Sequence, residues 1–545
     1  MSPEARPAAG SVDIATQSLA RPAAVMAVGT VLSRLTGLGR VAAMAFALGV
    51  AESRLADSYN VANTLPNVLY ELVLGGVLTS VFIPVLVGEL RTRDPDDAWR
   101  SASAMVSASL AVLVGLTVVT VLIAPWIIDL FTLRVSGRQA AEQRDLATFF
   151  LRVFAPQVAL YGFAAIAAGL LNAHGRFAVP MFAPILNNLI AIGMFLTFAA
   201  VTSGVPTDSS VNDDLGLKLL LGVGTTGGVA VMALAYWPFL RALPGRLRPR
   251  IDFRHPAVRR LARLSAWTVG YVITNTIGFG VSFALANGIQ GGVTAYVTAF
   301  AFFQLPIGVA AVSIVTALVP RMSAHYVDGE TRGFAADIAR GVRSIALLML
   351  PATAALIVLA HPLTKTLLEH GVVRASSADL VANVLQMFAI GLLPFSLYQL
   401  LMRAFYTRQD ARTPALINVT ENAVTIALDF ALFPSLDVRG LALAHTLGYV
   451  VGCGVAGWIL ARRVGGLERR RTVQQMARVT AASAVCAGAM VVTLAVVSAA
   501  VSSGQGRALA QLVLGSGVGL AAFLAVARAM HVEDLNLFRR LLPTR

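Results

Sequence analysis

The chain has 545 residues, of which 57% are hydrophobic and 13% are charged, and its mean hydropathy is +0.73. Soluble domains carry about 25% charged residues, so this composition excludes a soluble protein and indicates a polytopic membrane protein. The formal net charge of +15 comes almost wholly from arginine. Because these arginines lie between apolar segments, they indicate loop charges that set the topology rather than a nucleic-acid surface.

Neither the N-terminal residues nor the two cysteines predict a functional site. Residues 1–22 lack the apolar core of a signal peptide, and we expect a disordered cytoplasmic tail there. Cys453 and Cys486 fall in apolar segments without a partner at metal-ligand spacing, so they predict packing residues and no metal site. We expect no cofactor, with the membrane potential as the driving force and a coupling ion as an open question.

Apolar stretches long enough to cross a bilayer core of ~30 Å recur along the whole chain. They predict an all-α fold with fourteen transmembrane helices, at about residues 23–50, 59–88, 102–131, 147–171, 178–202, 216–241, 261–287, 293–320, 339–360, 378–402, 414–434, 439–461, 475–501 and 507–530. Connections after even-numbered spans are rich in arginine, whereas those after odd-numbered spans, except the third, carry few positive charges. The positive-inside rule therefore predicts that both termini are cytoplasmic.

Three segments of the chain occur twice, in the same order. The matched prolines Pro66/Pro306, Pro125/Pro362 and Pro180/Pro414 are offset by 240, 237 and 234 residues. This predicts two six-helix lobes in parallel pseudo-repeat, as in alternating-access transporters. We expect an N-lobe (23–243), a basic cytoplasmic linker (244–260), a C-lobe (261–461), a C-terminal helix pair (475–530) and a cytoplasmic tail (531–545).

Two arginines, Arg34 and Arg40, lie inside the first apolar span, where a charge at the bilayer centre costs ~3 kcal/mol or more. On a helix they point about 120° apart, and Gly37 and Gly39 between them predict a hinge that lets both face one polar cavity. Since a guanidinium binds a phosphate through two N–H groups at once, we interpret the pair as a site for a phosphate or pyrophosphate brought from the membrane. The alternative is that each arginine reaches to a membrane interface.

The second span carries two carboxylates and a proline. Pro66 predicts a kink that acts as a hinge and exposes carbonyl groups to a cavity. We assign Asp57, Asn67 and Glu71 to substrate binding, together with the arginines. Asp57 would pair with an arginine when no substrate is bound, or would only cap its helix. Glu71 would pair with a neighbouring arginine or serve in coupling.

The eleventh span carries Glu421, Thr425 and Asp429 at i, i+4 and i+8, which places them on one stripe of one helix. Oxygen ligands so arranged would hold a sodium ion or carry a proton. Equally open is that the helix brings these groups toward water at its two ends. Since the seventh span has no acidic residue after its cytoplasmic entry, we expect the membrane potential to matter more than sodium.

Five motifs of this chain, in order, resemble the MurJ (MviN) lipid II flippases of the MOP exporter superfamily. They are SRLTGLGR (33–40), Asp57 followed by LPN (65–67), GGVLTSVFIPVL (75–86), NAHGRFAVP (172–180) and RAFYTRQDARTP (403–414). The resemblance covers about residues 23–530. It implies a transporter and not an enzyme, which moves a polyprenyl-pyrophosphate-linked peptidoglycan precursor from the inner to the outer leaflet of a bacterial plasma membrane. It also implies that Arg34 and Arg40 are cavity arginines and that Asp57 is their acidic partner.

The chain departs from the family pattern where the family often has arginines: Tyr70 and Glu71 follow LPN, and Ala301 precedes QLP. The alternatives are a flippase for another lipid-linked polysaccharide unit, a drug exporter, and a non-transporting scaffold for cell-wall enzymes. A drug exporter accepts cations, which the two arginines oppose. As partners we expect a lipid-linked pyrophosphoryl saccharide and membrane lipids, no nucleic acid, and, on the scaffold alternative, cell-wall synthesis proteins at the cytoplasmic loops.

Overall fold

In a computed structural model, the chain is described over residues 20–71, 95–245, 247–502, 504–532 and 535. All regular structure in these ranges is helical, which confirms the all-α prediction. The helices are α1 (Ala20–Leu48), α2 (Leu55–Glu71), α3 (Pro95–Phe131), α4 (Arg138–Phe154), α5 (Gln157–Ala173), α6 (Ala178–Val201), α7 (Asp208–Asp213), α8 (Leu215–Leu234), α9 (Trp237–Arg241), α10 (Pro256–Ala286), α11 (Gly292–Pro306), α12 (Val312–Val327), α13 (Thr331–Val358), α14 (Ala360–Leu368), α15 (Ala375–Ile390), α16 (Leu392–Thr407), α17 (Arg412–Val464), α18 (Arg469–Ala500) and α19 (Gln505–Ala529). A π-helical turn, Ile307–Ala311, separates α11 from α12.

Ten helical segments of the described residues are long and apolar enough to cross a membrane, or eleven if α15 and α16, bent by 47°, form one span. The count of fourteen therefore stays a prediction. In α10 the apolar helix Val272–Ala286 is shorter than a span. Much of the predicted second span (59–88) lies outside the described residues.

The longest helix, α17, turns back on itself. Asp437 has non-helical angles, φ 53° and ψ −140°. A Cβ added at Gly448 would lie 3.2 Å from Oε1 of Glu421, although a straight helix would separate these residues by about 40 Å at 1.5 Å per residue. The two parts of α17 therefore pack side by side.

Packing is most extensive within each half of the chain, residues 20–245 and 256–464. In the first half α1 lies along α6, and α6 also packs on α8; in the second half α10 and α16 both pack on α17. Contacts between the halves are narrower and join α3 to α10, α2 to α11, and α1 to α11 and α14. The last two helices, α18 and α19, pack on each other and on α13 and α14.

The two glycines predicted as a hinge lie in an unbroken part of α1. A Cβ at Gly37 would lie 3.7 Å from Nδ2 of Asn188, and one at Gly39 would lie 3.4 Å from Cδ1 of Ile192. In this state both glycines therefore let α1 approach α6 closely. Their role as a hinge stays a prediction.

Candidate functional site

Asp57 joins the two halves of the chain by capping a helix of the other half. Its Oδ2 accepts a hydrogen bond from the backbone N–H of Gly291 at 2.7 Å. Its Oδ1 accepts from the backbone N–H of Thr294 at 2.9 Å and from the Thr294 hydroxyl at 2.8 Å. Gly291 is the N-cap of α11, so the carboxylate lies at the positive end of that helix.

Arg54, three residues earlier, contacts the helix on the other side of the same connection. Its Nη1 donates a hydrogen bond of 2.9 Å to the carbonyl oxygen of Asn287, which caps the C-terminus of α10. Since the C-terminus of a helix is its negative end, each charge meets the helix end of opposite sign. Sequence reasoning missed Arg54, because a charge beside a span resembles any interfacial loop charge.

These contacts belong to a polar interhalf seam, which we define as residues 49–60, 143, 206–208, 287–294 and 371–374. Gln290 donates to the carbonyl oxygen of Ala51 at 2.9 Å, and the backbone N–H of Arg374 donates to Oε1 of Glu52 at 2.7 Å. Within the first half, the Ser58 hydroxyl donates to Asp208. Burial raises the pKa of Asp208 to about 6, although the bond from Ser58 and the charge of Arg54 oppose this.

Arg40 lines a polar cavity of about 100 Å³, which we call the first-half cavity. Its polar lining consists of Arg40, Tyr59, Asn60, Asn63, Thr64, Asn67, Gln157, Tyr161, Asn187 and Thr225, and its apolar lining of Val41, Met44, Ala191, Phe195, Val229 and Val297. None of these residues is acidic. Among the described residues, no carboxylate lies within 4.0 Å of the Arg40 guanidinium.

Arg34 lies in different surroundings. It is exposed, and its guanidinium reaches the π-helical turn of the second half, where a Cβ added at Gly308 would lie 2.9 Å from its Nε, Cζ and Nη2 atoms. Arg34 is not part of the lining of the first-half cavity. In this state the structure therefore brings Arg40, but not Arg34, into that cavity, and it places Arg34 between the two halves.

The other residues predicted in the second span also lie in different surroundings, and only some of them line the first-half cavity. Asn67 lines the first-half cavity, and its Nδ2 donates to the carbonyl oxygen of Asn63 at 2.8 Å. Pro66 lies inside α2, which continues to Glu71. The Glu71 side chain lies outside the described residues. Asp57 makes no ion pair with Arg34 or Arg40, because both of its oxygens bind α11.

The stripe predicted in the eleventh span is buried in the second half. Glu421 is 2% exposed, and its Oε1 and Oε2 accept hydrogen bonds from Thr425 at 3.1 Å and from Asn422 at 2.9 Å. Asp429 is fully buried; its Oδ2 accepts from the Ser282 hydroxyl at 2.6 Å, whereas Oδ1 has no partner among the described residues.

Neither of these carboxylates has an ion-pair partner among the described side chains. Glu421 and Thr425 line a cavity of about 10 Å³, the second-half cavity, together with Asn275, Ser282 and Tyr296 among others. By this measure of volume the cavity has room for about one water molecule. An unpaired buried charge is costly, so the arrangement is suited to a bound proton or a small cation.

Over the described residues, a bundle of membrane-length helices with a cationic cavity in one half and buried carboxylates in the other is typical of membrane transporters. Its fold is similar to a solved structure titled lipid II flippase MurJ, inward closed conformation, with a TM-score of 0.74 at 18% identity over 93% of this chain and 99% of that one. It is also similar to an inward-facing multidrug resistance MATE family transporter of the MOP superfamily, with a TM-score of 0.62 at 16% identity over 81% of this chain and 99% of that one.

The sequence comparison is more specific. The family model described as lipid II flippase MurJ matches residues 44–516. A probable lipid II flippase MurJ of Rhizobium meliloti (strain 1021) is 30% identical over 82% of this chain and 79% of the relative. The lipid II flippase MurJ of Burkholderia cenocepacia is 29% identical over 77% of this chain and 79% of the relative. The chain therefore belongs to the MurJ family of lipid II flippases, which confirms the resemblance.

Proposed function

We propose that this protein moves lipid II, a polyprenyl-pyrophosphate-linked peptidoglycan precursor, from the inner to the outer leaflet of the bacterial plasma membrane. Membership of the MurJ family supports the cargo. The observation that carries the proposal is Arg40, a permanent cation in a polar cavity without an acidic lining residue. A guanidinium in such surroundings binds a phosphate through fixed N–H donors.

Arg34 and Arg40 act on the same headgroup at different stages. Arg40 binds the pyrophosphate at the first-half cavity, while Arg34, beside Gly308, receives it where the two halves meet. A change in the relative position of the halves moves Arg34 with α1 and Gly308 with the second half. The contact between them is therefore one that alternating access would open and close.

The architecture that we propose has fourteen spans, two six-helix lobes and cytoplasmic termini. Its support is the turn in α17 at Asp437, the bent pair α15–α16, and packing that is most extensive within each half. On this topology the connections of the interhalf seam face outward. The seam then closes the cavities from the outside, and the cargo enters from the inner leaflet.

The second half supplies coupling in this proposal. Glu421, Thr425 and Asp429 bind a proton or a small cation, whose movement through the membrane potential drives the return of the empty carrier. Support comes from two buried carboxylates without an ion-pair partner among the described residues. One elementary charge moved through 100 mV is worth ~2.3 kcal/mol.

Complementation of a bacterial strain depleted of its own flippase tests the proposal. We expect Arg34→Ala and Arg40→Ala to fail, while Arg138→Ala, a change at an exposed arginine paired with Glu142, supports growth like the unaltered chain. Membrane levels of each variant are measured in parallel. If both cavity variants support growth, transport of an anionic headgroup is wrong, and a scaffold that depends on its cytoplasmic loops becomes the better account.

A further inference from the structure

We propose that the first-half cavity binds one sugar ring of the lipid-linked saccharide, beside the phosphate group held by Arg40. The cavity would then distinguish a saccharide-bearing lipid from its bare pyrophosphate. This inference rests on the proposed function, because it assigns a place to the uncharged part of the same headgroup.

The lining of the cavity is suited to groups that both donate and accept hydrogen bonds. Apart from Arg40, its polar side chains are the neutral amides and hydroxyls of asparagine, glutamine, threonine and tyrosine. Amides and hydroxyls offer donors and acceptors together. Sugar hydroxyl and acetamido groups offer the same combination, whereas a fully ionised pyrophosphate only accepts.

Two buried acceptors of the lining decide between these ligands. Gln157 is fully buried, and its Nε2 donates to the Thr226 hydroxyl at 3.1 Å, while its Oε1 has no partner among the described residues. The Oδ1 of Asn63 is also buried without a partner there. A buried acceptor without a donor is destabilising. A ligand that brings an N–H or O–H group to these two oxygens would remove that cost. A fully ionised pyrophosphate or a chloride ion has none to give.

The size of the cavity limits the ligand to one ring. One water molecule needs about 10–15 Å³ by this measure of volume, so about 100 Å³ accommodates roughly seven to ten water molecules. That is the space of one substituted sugar ring, and a disaccharide with a peptide would not fit. Met44 and Phe195 also line the cavity and offer apolar surface to the C–H face of a ring.

The test compares two lipids that share one pyrophosphate. The full chain, in nanodiscs, is titrated with polyprenyl pyrophosphate and with polyprenyl pyrophosphate that bears one N-acetylated sugar. We expect the unaltered protein to bind the sugar-bearing lipid about tenfold more tightly, since buried polar groups reject a ligand that leaves them unpaired. Gln157→Met and Asn63→Ala should each reduce this ratio to about twofold or less, with the affinity for bare polyprenyl pyrophosphate unchanged. The control Gln386→Met alters a half-buried glutamine of the second half and should keep the full ratio.

The outcomes separate this inference from the proposed function. If Arg40→Ala leaves the binding of bare polyprenyl pyrophosphate intact, the proposed phosphate site is wrong. If the unaltered protein binds both lipids equally, or if Gln157→Met and Asn63→Ala keep the tenfold ratio, the sugar site is wrong while the phosphate site stands. Loss of bare polyprenyl pyrophosphate binding in both variants would also overturn the sugar site, because these residues would then serve the phosphate or the fold.

Discussion

The two cavities lie in different halves of the chain, and their linings differ in the sign of the ionisable side chain that each contains. The first-half cavity is lined by Arg40 and by no acidic residue, whereas the second-half cavity is lined by Glu421 and by no arginine or lysine. Both lie among buried helices that would disfavour an unpaired charge. This difference is the one that the proposed function requires, in which an anionic cargo binds in the first half and a cation or proton binds in the second.

Pro66 and Pro306, which the sequence analysis matched between the two halves, show a second difference. After Pro66 the helix α2 continues in regular form to Glu71, whereas Pro306 is followed by a π-helical turn that contains Gly308. Such turns are rare and are frequent at functional sites. Here the glycine lets the guanidinium of Arg34 lie close to the turn, because a Cβ at residue 308 would lie 2.9 Å from it and Arg34 would have to shift. A proline is therefore present in both halves, while the turn after Pro306 brings Gly308 beside the guanidinium of Arg34 from the other half.

The largest effect that we expect concerns the charge of the first-half cavity. In proteoliposomes, Arg40→Ala should lower the rate of lipid II flipping by about 30-fold or more, since loss of one partner of a hydrogen-bonded charge pair costs ~2–5 kcal/mol. Arg40→Lys should fall between this variant and the unaltered protein, because it keeps the charge but not the two-pronged geometry. Arg138→Ala is the control. A rate for Arg40→Ala equal to that of the control would show that transport does not need the charge of the first-half cavity.

The second prediction concerns the carboxylates of the second half. Glu421→Gln and Asp429→Asn should lower flipping in the presence of a membrane potential by up to about 50-fold, the equivalent of ~2.3 kcal/mol for one charge in 100 mV. Collapse of the potential should slow the unaltered protein more than collapse of the pH gradient does, and it should have little effect on the two variants. Asp379→Asn, at an exposed carboxylate, serves as the control. Transport that requires sodium and ignores the potential would contradict this prediction.

The third prediction concerns the seam between the halves. Asp57→Asn removes the charge that the N–H groups of Gly291 and Thr294 stabilise, and hydrogen bonds to a charged group contribute ~1.5–3 kcal/mol. We expect the seam to open about tenfold more often. The readout is maleimide labelling, from outside, of the buried seam position Val293→Cys in a chain with Cys453 and Cys486 replaced by alanine. Glu142→Gln should leave labelling slow, and equal labelling of the Asp57 variant would show that this carboxylate does not hold the halves together.

The smallest effect that we expect is a pH dependence of stability at the seam. Because burial raises the pKa of Asp208 from its ordinary value of 3.8 to about 6, the folded chain holds this proton more tightly than the unfolded chain does. The stabilisation that Asp208 contributes is therefore fully present below about pH 4 and is lost as the pH rises through 6. Asp208→Asn should flatten the fall in melting temperature between pH 5 and pH 7.5, whereas the exposed control Asp213→Asn should not. A fall that is the same in all three chains would assign the effect to other groups.

Periodicity predicted the local features of this molecule and left its long-range contacts open. The i, i+4 spacing of Glu421 and Thr425 predicted a shared face, and the two side chains are hydrogen-bonded. Motif order predicted the family. In contrast, Asp57 binds backbone N–H groups more than 230 residues away. Since almost every residue has a backbone N–H, the sequence does not indicate which of them a carboxylate contacts. The 120° between Arg34 and Arg40 was computable, but which neighbours each would meet depended on how α1 packs.

The most direct test of the division of work measures binding alone. Purified protein in nanodiscs is titrated with lipid II, and Arg40→Ala is compared with the double variant Glu421→Gln/Asp429→Asn. We predict that Arg40→Ala weakens binding by about 30-fold or more, while the double variant binds like the unaltered chain. Unchanged binding in Arg40→Ala, or an equal loss in the double variant, would contradict the separation of cargo and coupling between the two halves.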